Sequence, residues 1–363
     1  MKITRIQTQI VRLPADEPLA GGPVTPGATR DIVTLRVGTD AGIEGIGISF
    51  FGGALTGALK TAVDALGALT IGEDPLDIEA IVSRLRAASG GCGPGGIFTL
   101  ALSPIDIALW DIKGKALNLP VNTLAGGFRS RAPTYASGAL MRTFPLDHLA
   151  KAGPRLVEKG FRQMKTQLAL PGETSPEKEV ERARVMRESI GYGIDLMCDI
   201  NQRWSVYQAI DIGRRVEPYH FFWLEDVTTC DDYAGLARVA DALSTPVAGG
   251  EYVYGLTPMR HMMEARSVDI IMIDLLRAGG ITQWLKIAGM AEAFNLPVVS
   301  HLVPEIHAHL IAAIPNGLTV EYMPWTLKLY KDTPRIEKGE IVVPDKPGLG
   351  LEFDPDVLKR YGE

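Results

Sequence analysis

Three acidic residues each follow a short apolar run, and equal intervals separate them along the chain. Asp199, Glu225 and Glu251 follow the runs IDLMC, FFWL and PVAGG, and each interval is 26 residues. Three carboxylates brought close together would repel each other, and burial would make their ionisation costly. A hard divalent cation such as Mg²⁺ or Mn²⁺ removes both problems, because it prefers oxygen ligands. We predict a metal site here, although any one of these acids alone would fit a solvated loop at a helix start.

A carboxylate and a histidine follow the next two apolar runs. Asp274 follows IIMI and His301 follows PVVS. If adjacent strand ends place them together, the carboxylate fixes the imidazole tautomer and raises its basicity, which leaves the other ring nitrogen for proton transfer. A single histidine is more often structural, and its place in the repeat is what favours His301. We expect His307 and His309, in the helical stretch IHAHLIAA, to be packed or to support the site indirectly.

Further polar residues accompany two other apolar runs. Glu321 follows LTV and could donate or accept a hydrogen bond at an oxygen that gains negative charge. To act as a donor it would need a raised pKa. Lys165 and Gln167 stand two residues apart in MKTQ, so the alternation of a strand places both on one face.

The runs that carry these residues alternate with amphipathic stretches from about residue 132 onward. The predicted strands are 133–137, 163–167, 194–199, 222–225, 246–249, 270–273, 297–300 and 318–321, and the predicted helices include 177–189, 205–216, 232–243 and 281–294. Eight strand-then-helix units at a repeat of roughly 20–30 residues favour a parallel barrel, whose active site lies at the carboxyl ends of its strands. A doubly wound open sheet is the alternative, but no GxGxxG motif follows an early strand.

The first third of the chain has a different pattern, which predicts an α+β domain. Two strands are expected within residues 31–49, and helices at 55–70 and 76–88. Another helix is expected to begin with Ser103-Pro104 as its cap and first turn and to run to Leu117.

The length of 363 residues exceeds the usual size of one domain. We predict an α/β fold with an α+β capping domain over residues 1–128 and a TIM-like (β/α)7β barrel over 129–325. The tail, residues 326–363, is rich in Pro, Gly and charge, and we expect it to return to the capping domain.

Composition excludes several classes of partner. The net charge of −6 argues against nucleic-acid binding, which needs a basic face. The chain has 3 cysteines without metal or disulfide spacing, which favours a reducing compartment. Charges interrupt the N-terminal segment, so a signal peptide is not expected, and no run reaches the ~18 apolar residues of a membrane span. We therefore expect a cytoplasmic protein without a membrane or nucleic-acid partner.

The ordered motifs MKTQ, CDINQRW, WLEDV, AGGE, DLLRAGGIT, SHLVPEIHAHL and VEYMPW resemble the mandelate racemase subgroup of the enolase superfamily. The stretch ALSPIDIALWDIKGKALNLPV is similar to the helix that precedes the barrel in that family. The site residues that the resemblance implies are Mg²⁺ ligands at Asp199, Glu225 and Glu251, Asn201 beside them, an Asp274–His301 dyad, and Glu321 at an enolate oxygen. A homo-oligomer is implied by the resemblance alone.

One position departs from the pattern of that family. Its second strand commonly carries Lys-x-Lys, and the second lysine is a base on the opposite face of the substrate, where this chain has Gln167. Glutamine cannot abstract a proton near neutral pH, and its neutrality removes a cation that would lower the pKa of Lys165. Racemisation normally needs acid–base groups on both faces, whereas β-elimination of water needs one base and one acid.

The sequence therefore favours a Mg²⁺-dependent acid-sugar dehydratase that acts on a small carboxylate, in the form of a polyhydroxy acid. His301 would be base and then acid, and Lys165 would hold the substrate carboxylate or ligand oxygens. Lys165 as an active base stays open. A racemase or epimerase, or a lactone cycloisomerase, would use the same enolate. The alternative of another class is a barrel that binds a metal or an anion without turnover.

Substrate contacts are expected from several sources. Gln167 could hold a hydroxyl group, and Asn201 lies beside the predicted metal ligands. Arg30 belongs to a Gly/Pro-punctuated loop able to close over the barrel mouth, and it could contact substrate or only pack the domain interface. The same two interpretations apply to Phe50 and Phe51. Trp204 could line the pocket or cover the barrel rim.

Overall fold

The structure, a computed structural model, describes residues 1–172 and 175–363. The chain begins with a three-stranded antiparallel sheet in the order β1-β2-β3. The elements of this N-terminal part are strands β1 (Ile3–Pro14), β2 (Thr29–Thr39) and β3 (Glu44–Ser49), and helices α1 (Thr56–Ala68), α2 (Ile78–Ala88), α3 (Gly96–Leu117) and α4 (Val121–Leu124). The predicted strands within 31–49 are present, and β1 is an additional strand.

Helix α3 packs directly against β3 because two glycines let the backbones approach. A Cβ at Gly47 would lie 2.0 Å from the carbonyl oxygen of Pro104, and one at Gly45 would lie 2.2 Å from that of Ala108. Any larger residue at either position would push the helix off the sheet. The GIG pattern of β3 therefore sets the distance between sheet and helix.

The predicted start of this helix is wrong, since α3 begins at Gly96 and Pro104 lies inside it. A proline within a helix cannot donate to the carbonyl four residues earlier, which here belongs to Leu100. The hydroxyl of Ser49 donates to that carbonyl at 2.6 Å. A contact from β3 thus replaces the missing helical bond, and the local sequence of the helix holds no sign of it.

The remainder of the chain confirms the predicted barrel. Eight parallel strands are neighbours in sequence order, and the last pairs with the first, so the sheet is closed. The strands are β4 (Arg131–Ala136), β5 (Gln163–Gln167), β6 (Asp195–Asp199), β7 (Phe221–Glu225), β8 (Val247–Gly249), β9 (Ile270–Asp274), β10 (Val298–His301) and β11 (Gly317–Tyr322). The helices are α5 (Leu146–Glu158), α6 (Pro176–Ile190), α7 (Val206–Val216), α8 (Tyr233–Ala242), α9 (Leu256–Glu264), α10 (Leu275–Ala278), α11 (Ile281–Ala293) and α12 (Pro304–Ala313).

Apolar side chains fill the inside of the barrel below the carboxyl ends of its strands. Tyr135, Met197, Trp223, Met272 and Val299 belong to a separate buried cluster, and the rings of Tyr135 and Trp223 meet edge to face at 5.5 Å. Such a filled barrel leaves room for a ligand only at one end.

The C-terminal tail contacts both parts of the chain. Its elements are β12 (Ile336–Glu337), β13 (Glu340–Val342) and α13 (Pro355–Tyr361), and β13 pairs antiparallel with β4 of the barrel. Farther along, Gly362 bridges to Val11 of β1, and the Arg36 guanidinium lies 5.3 Å from the ring centroid of Phe353. The domain boundaries after residues 128 and 325 stay predictions. Among the described residues, no helix is both long enough and apolar enough to cross a membrane.

Candidate active site

The strand ends bring polar side chains to one mouth of the barrel. Asp199 pairs in register with Glu225 and with Gln167 on its two neighbouring strands, and His301 pairs with Asp274. A cavity of about 300 Å³ opens at this end. It is lined by Phe51, Met141, Lys165, Gln167, Asp199, Asn201, Glu251, Tyr252, Arg277, His301, Leu302, Glu321, Met323 and Trp325.

Three carboxylates form a compact cluster at the ends of β6 and β7. Ligand oxygens of Asp199, Glu225 and Asp226 all lie within 4.8 Å of one another, and all three residues are buried. Burial raises the pKa of Glu225 well above its usual range, and the neighbouring charges of Asp199 and Glu251 raise it further, although Lys165 opposes this. An oxygen of Asp226, Oδ2, is buried without a hydrogen-bond partner in the described part of the chain. A crowded set of buried carboxylates with an unpaired oxygen fits a divalent cation.

Glu251, the third predicted metal ligand, stands outside this compact cluster and contacts His301. It follows β8 and is 3% exposed, and its Oε2 is 3.3 Å from Nε2 of His301. Burial, opposed by His301, raises its pKa to about 7. The structure therefore places Glu251 between the acidic cluster and the histidine. Asp226, the next residue after Glu225 in the motif WLEDV, takes the position in the compact cluster that the sequence had suggested for Glu251.

Lys165 is buried between two carboxylates. Its Nζ is 2.6 Å from Oε1 of Glu225 and 2.8 Å from Oε1 of Glu321. Burial alone would lower the pKa of Lys165, but the two carboxylates raise it well above its usual range. In this arrangement Lys165 is an ammonium ion that holds two acids together.

His301 and Asp274 are in direct contact. Nδ1 of His301 is 2.7 Å from Oδ2 of Asp274, whose other oxygen accepts the backbone N–H of Arg277 at 2.7 Å. Burial would lower the pKa of His301, but Glu251 and Asp274 raise it to about 9. Because Asp274 holds Nδ1, the ring presents Nε2 to Glu251 and the cavity.

Glu321 is fixed as an acceptor. It accepts the backbone N–H of Leu302 at 2.7 Å. Burial would raise its pKa, but Lys165 and His301 lower it to about 2. The raised pKa that a donor needs is therefore absent in this arrangement, and Glu321 is an anion.

Strand β5, the second strand of the barrel, presents the amide of Gln167 at the mouth in place of a base. Nε2 of Gln167 lies 3.3 Å from Oδ2 of Asp199 and 3.2 Å from Oδ1 of Asn201. Asn201, in the left-handed region at φ 49°, donates its backbone N–H to Oδ1 of Asp199 at 2.7 Å. Gln167 and Asn201 thus form one network with a predicted metal ligand.

Of the other two predicted substrate contacts, Arg30 lines a cavity and Trp204 is buried in the core. Arg30 lies in strand β2 and not in a loop. It stacks over Trp325 at 4.7 Å and lines a neighbouring cavity of about 400 Å³, which shares Phe51 and Trp325 with the barrel mouth. Trp204 is 4% exposed and packs in the main hydrophobic core rather than in the described lining of the mouth.

Comparison with known protein families shows to which family this chain belongs. Residues 148–357 match the family described as enolase C-terminal domain-like, and residues 6–126 match the mandelate racemase / muconate lactonizing enzyme N-terminal domain. The chain belongs to the mandelate racemase / muconate lactonizing enzyme family.

Proteins similar to this chain include dehydratases and cycloisomerases. An L-talarate/galactarate dehydratase of Salmonella typhimurium is 30% identical over 96% of this chain and 88% of its own. A 3,6-anhydro-alpha-L-galactonate cycloisomerase of Streptomyces coelicolor is 32% identical over 99% of both chains. Among solved structures, L-talarate dehydratase of Polaromonas sp. JS666, in complex with Mg and L-glucarate, has a TM-score of 0.92 at 29% identity over 99% of this chain and 97% of that one.

Several residues at this site were not singled out from the sequence, among them Asp226, Arg142, Tyr252, Arg277 and Trp325. Asp226 carried a signal, because it is a second acid directly after a strand-end acid. Arg142 and Tyr252 stand in connecting segments and Arg277 stands in the four-residue helix α10, where residue type and spacing hold no periodic information. Only the closed barrel brings them to the mouth.

Proposed function

We propose that this family member is a Mg²⁺-dependent acid-sugar dehydratase. It would abstract the proton on the carbon α to a carboxylate and eliminate the β-hydroxyl group as water. The observation that carries this proposal is the asymmetry of the mouth. One side presents His301, held by Asp274 at 2.7 Å, and β5 presents the amide of Gln167. A site with one acid–base group suits elimination better than racemisation.

The proposed ion would be held by Asp199, Glu225 and Glu251, with Asp226 adjacent. Mg²⁺ is the proposed metal, and Mn²⁺ would suit the same oxygen donors. When bound, it would supply Lewis acidity that stabilises negative charge on the substrate carboxylate.

His301 is the proposed acid–base residue. In its neutral form, Nε2 would accept the α-proton, and the C–H electron pair would move toward the carboxylate to give the enolate. That electron pair would then form the Cα=Cβ double bond as the β C–O bond breaks. The same nitrogen would return the proton to the departing hydroxide, so that water leaves and the enol product becomes a 2-keto-3-deoxy acid. Glu251 is the largest influence that raises the pKa of His301. Engagement of Glu251 with an ion would therefore favour the neutral base.

The remaining side chains would bind and orient. We propose that the Lys165 ammonium holds a substrate carboxylate oxygen and that Glu321 lies opposite the enolate oxygen. Gln167 and Asn201 would donate to substrate hydroxyl groups from the mouth of the barrel. Arg30 and Trp325 would bound the far end of the substrate. Trp204 would not contact substrate, because it packs in the main hydrophobic core.

The test is a panel of polyhydroxy acids incubated with enzyme and Mg²⁺ in D₂O. A 2-keto-3-deoxy acid, identified by NMR, is the expected product. Deuterium at the α-carbon of unchanged or epimerised substrate, without elimination, would instead show an epimerase.

A lactone cycloisomerase is the second candidate, because one relative of that activity aligns over 99% of both chains. The same panel should therefore include lactones and anhydro acids. A rearranged isomer of a lactone or anhydro acid, formed without loss of water and differing in mass only by exchanged deuterium, would identify this activity and contradict the dehydratase. A cytoplasmic location and a homo-oligomer stay predictions.

A further inference from the structure

A buried arginine lies behind the Gln167 side of the mouth. Arg142, in the segment after β4, is 8% exposed. Its Nε donates to the carbonyl oxygen of Leu168 at 2.7 Å, and its Nη2 donates to the carbonyl oxygen of Asp199 at 3.1 Å. Nη2 also donates to Oδ1 of Asn201 at 2.7 Å. One guanidinium thus joins the segments that follow β5 and β6.

These contacts determine which way two side-chain amides point. The backbone N–H of Arg142 donates to Oε1 of Gln167 at 3.3 Å, while its guanidinium donates to Oδ1 of Asn201. An N–H group and a guanidinium can only donate, so each amide must turn its oxygen toward Arg142. The NH₂ group of Gln167 is then directed at Asp199, and that of Asn201 lies 3.3 Å from the hydroxyl of Tyr252.

The backbone around Arg142 is itself held by buried charges. Arg182, of α6, donates to the carbonyl oxygens of Gln167 at 2.9 Å and of Phe144 at 3.1 Å. Glu179, of the same helix, accepts the backbone N–H groups of Ala169 and Leu170 at 3.0 and 2.9 Å. Because these bonds leave the segment little freedom, Arg142 can act as a fixed reference for the two amides.

We propose that Arg142 is a positioning residue that makes Gln167 and Asn201 hydrogen-bond donors toward substrate oxygens. It also places a permanent positive charge behind Asp199 on the side of the mouth where Gln167 stands. The direction of the amides is independent of the reaction, whereas their contact with substrate rests on the proposed function. Arg142 itself is expected not to touch the reacting atoms.

The first test compares Arg142→Lys with a matched control. Lysine keeps the charge but cannot donate in three directions from a planar group, so kcat should fall by about 10- to 100-fold. Mg²⁺ affinity, measured by calorimetry without substrate, should change by less than about 3-fold. The control is Arg187→Lys, because Arg187 is 1% exposed and donates to backbone carbonyls of Tyr219, Gly191, Ile194 and His220.

Arg187 lies next to the starts of β6 and β7, at the opposite end of the barrel. Its variant should lose thermal stability while the folded enzyme keeps its kcat. The proposal is contradicted if both variants lose kcat equally at equal loss of Tm. It is also contradicted if Arg142→Lys weakens Mg²⁺ binding more than 10-fold, because Arg142 would then build the metal site rather than orient the amides.

The second test asks whether Arg142 acts through Gln167. Gln167→Ala should lower kcat, and the addition of Arg142→Lys should lower it further by a smaller factor than Arg142→Lys does in the wild type, because only the effect through Asn201 remains. Losses that multiply would show independent roles and would contradict the proposal.

The last test needs no substrate. A crystal structure of the Arg142→Lys protein should show the amide of Gln167 rotated or disordered, whereas an unchanged amide would contradict the proposal. If the acid-sugar panel finds no turnover, the dehydratase proposal fails, but the Mg²⁺ titrations and this structure still decide the role of Arg142.

Discussion

His301 is held at both ring nitrogens, by Asp274 on one side and Glu251 on the other. Only one of these contacts suits a catalyst. The bond to Asp274 orients the ring, whereas the contact with Glu251 occupies the nitrogen that would reach substrate. His301 can therefore act as a base only if Glu251 binds the proposed metal ion instead of Nε2.

Replacement of His301 separates a catalyst from a barrel that only binds a metal. His301→Asn should lower kcat by about 10²- to 10⁴-fold, because the acid–base group is lost while the ring volume is partly kept. Mg²⁺ affinity should stay within about 10-fold, as measured by calorimetry. Unchanged turnover of the substrate found in the panel would contradict the role of His301.

The third metal ligand is a choice between Glu251 and Asp226. Glu251 lines the cavity that a substrate must enter, and it approaches the cluster from a third strand. Glu251→Gln should therefore weaken Mg²⁺ binding by about 10-fold or more, and Asp226→Asn should weaken it less. A larger loss in Asp226→Asn would assign the ligand to Asp226 instead. Titration calorimetry on both variants gives the comparison.

At the scale of elements, helix α12 is tied to two other parts of the chain by His309. Nδ1 of His309 accepts the backbone N–H of Asn122 at 3.2 Å, and Nε2 donates to the carbonyl oxygen of Leu349 at 3.0 Å. Acceptance at Nδ1 requires a neutral ring. His309 of α12 therefore joins the segment between α3 and the barrel to the C-terminal tail, and its ring is uncharged.

This arrangement makes stability depend on pH. Burial, opposed by the bond to Leu349, lowers the pKa of His309 from 6.5 to about 4. Below pH 6.5 His309 binds a proton in the unfolded chain but stays neutral in the folded chain. Its own contribution to stability should therefore fall between pH 6.5 and 4, by on the order of 3 kcal/mol. His309→Gln should remove this contribution, so the change in Tm from pH 6.5 to 4 should be less unfavourable than in the wild type.

His261→Gln is the matched control, because His261 is an exposed residue of α9. It should leave the shape of the profile unchanged. A His309→Gln profile as steep as that of the wild type would show that His309 contributes little to the pH dependence.

At the scale of the whole molecule, the N-terminal part reaches the active site through Phe51. This residue follows β3 and adopts φ 70°, which costs energy for a bulky side chain. Its ring stacks on His301 at 6.1 Å between centroids, and the guanidinium of Arg277 lies 4.0 Å from it. The strained residue is thus held by contacts with the barrel, and it covers the proposed base.

Removal of this ring should affect turnover more than folding. Phe51→Ala should lower kcat/KM by about 10- to 100-fold, because the base becomes less well placed and water gains access to it. Mg²⁺ affinity should be unchanged, since Phe51 is absent from the acidic cluster. Steady-state kinetics and a metal titration on the same protein check both, and kinetics equal to the wild type would contradict a role in closure.

Much of the fold and part of the site followed from local sequence. Each barrel strand is a short apolar run, and the residue that ends it must point to the same mouth as its neighbours. That geometry is why Asp199, Glu225, Asp274, His301 and Glu321 could be picked out before the structure. Periodicity also separated the N-terminal α+β part from the barrel.

The tertiary structure decided the protonation, the orientation and the hydrogen-bond partners of residues whose strand positions were already clear. Pro104 lies inside α3, and the carbonyl of Leu100 that it leaves free accepts the hydroxyl of Ser49, about fifty residues earlier in the chain. The charge state of Glu321 depends on Lys165 and His301, from other strands. The direction of Gln167 depends on Arg142, which comes from a connecting segment. Strand-end residue types follow from a local repeat, whereas their protonation and orientation depend on neighbours that only the closed barrel brings within hydrogen-bond distance.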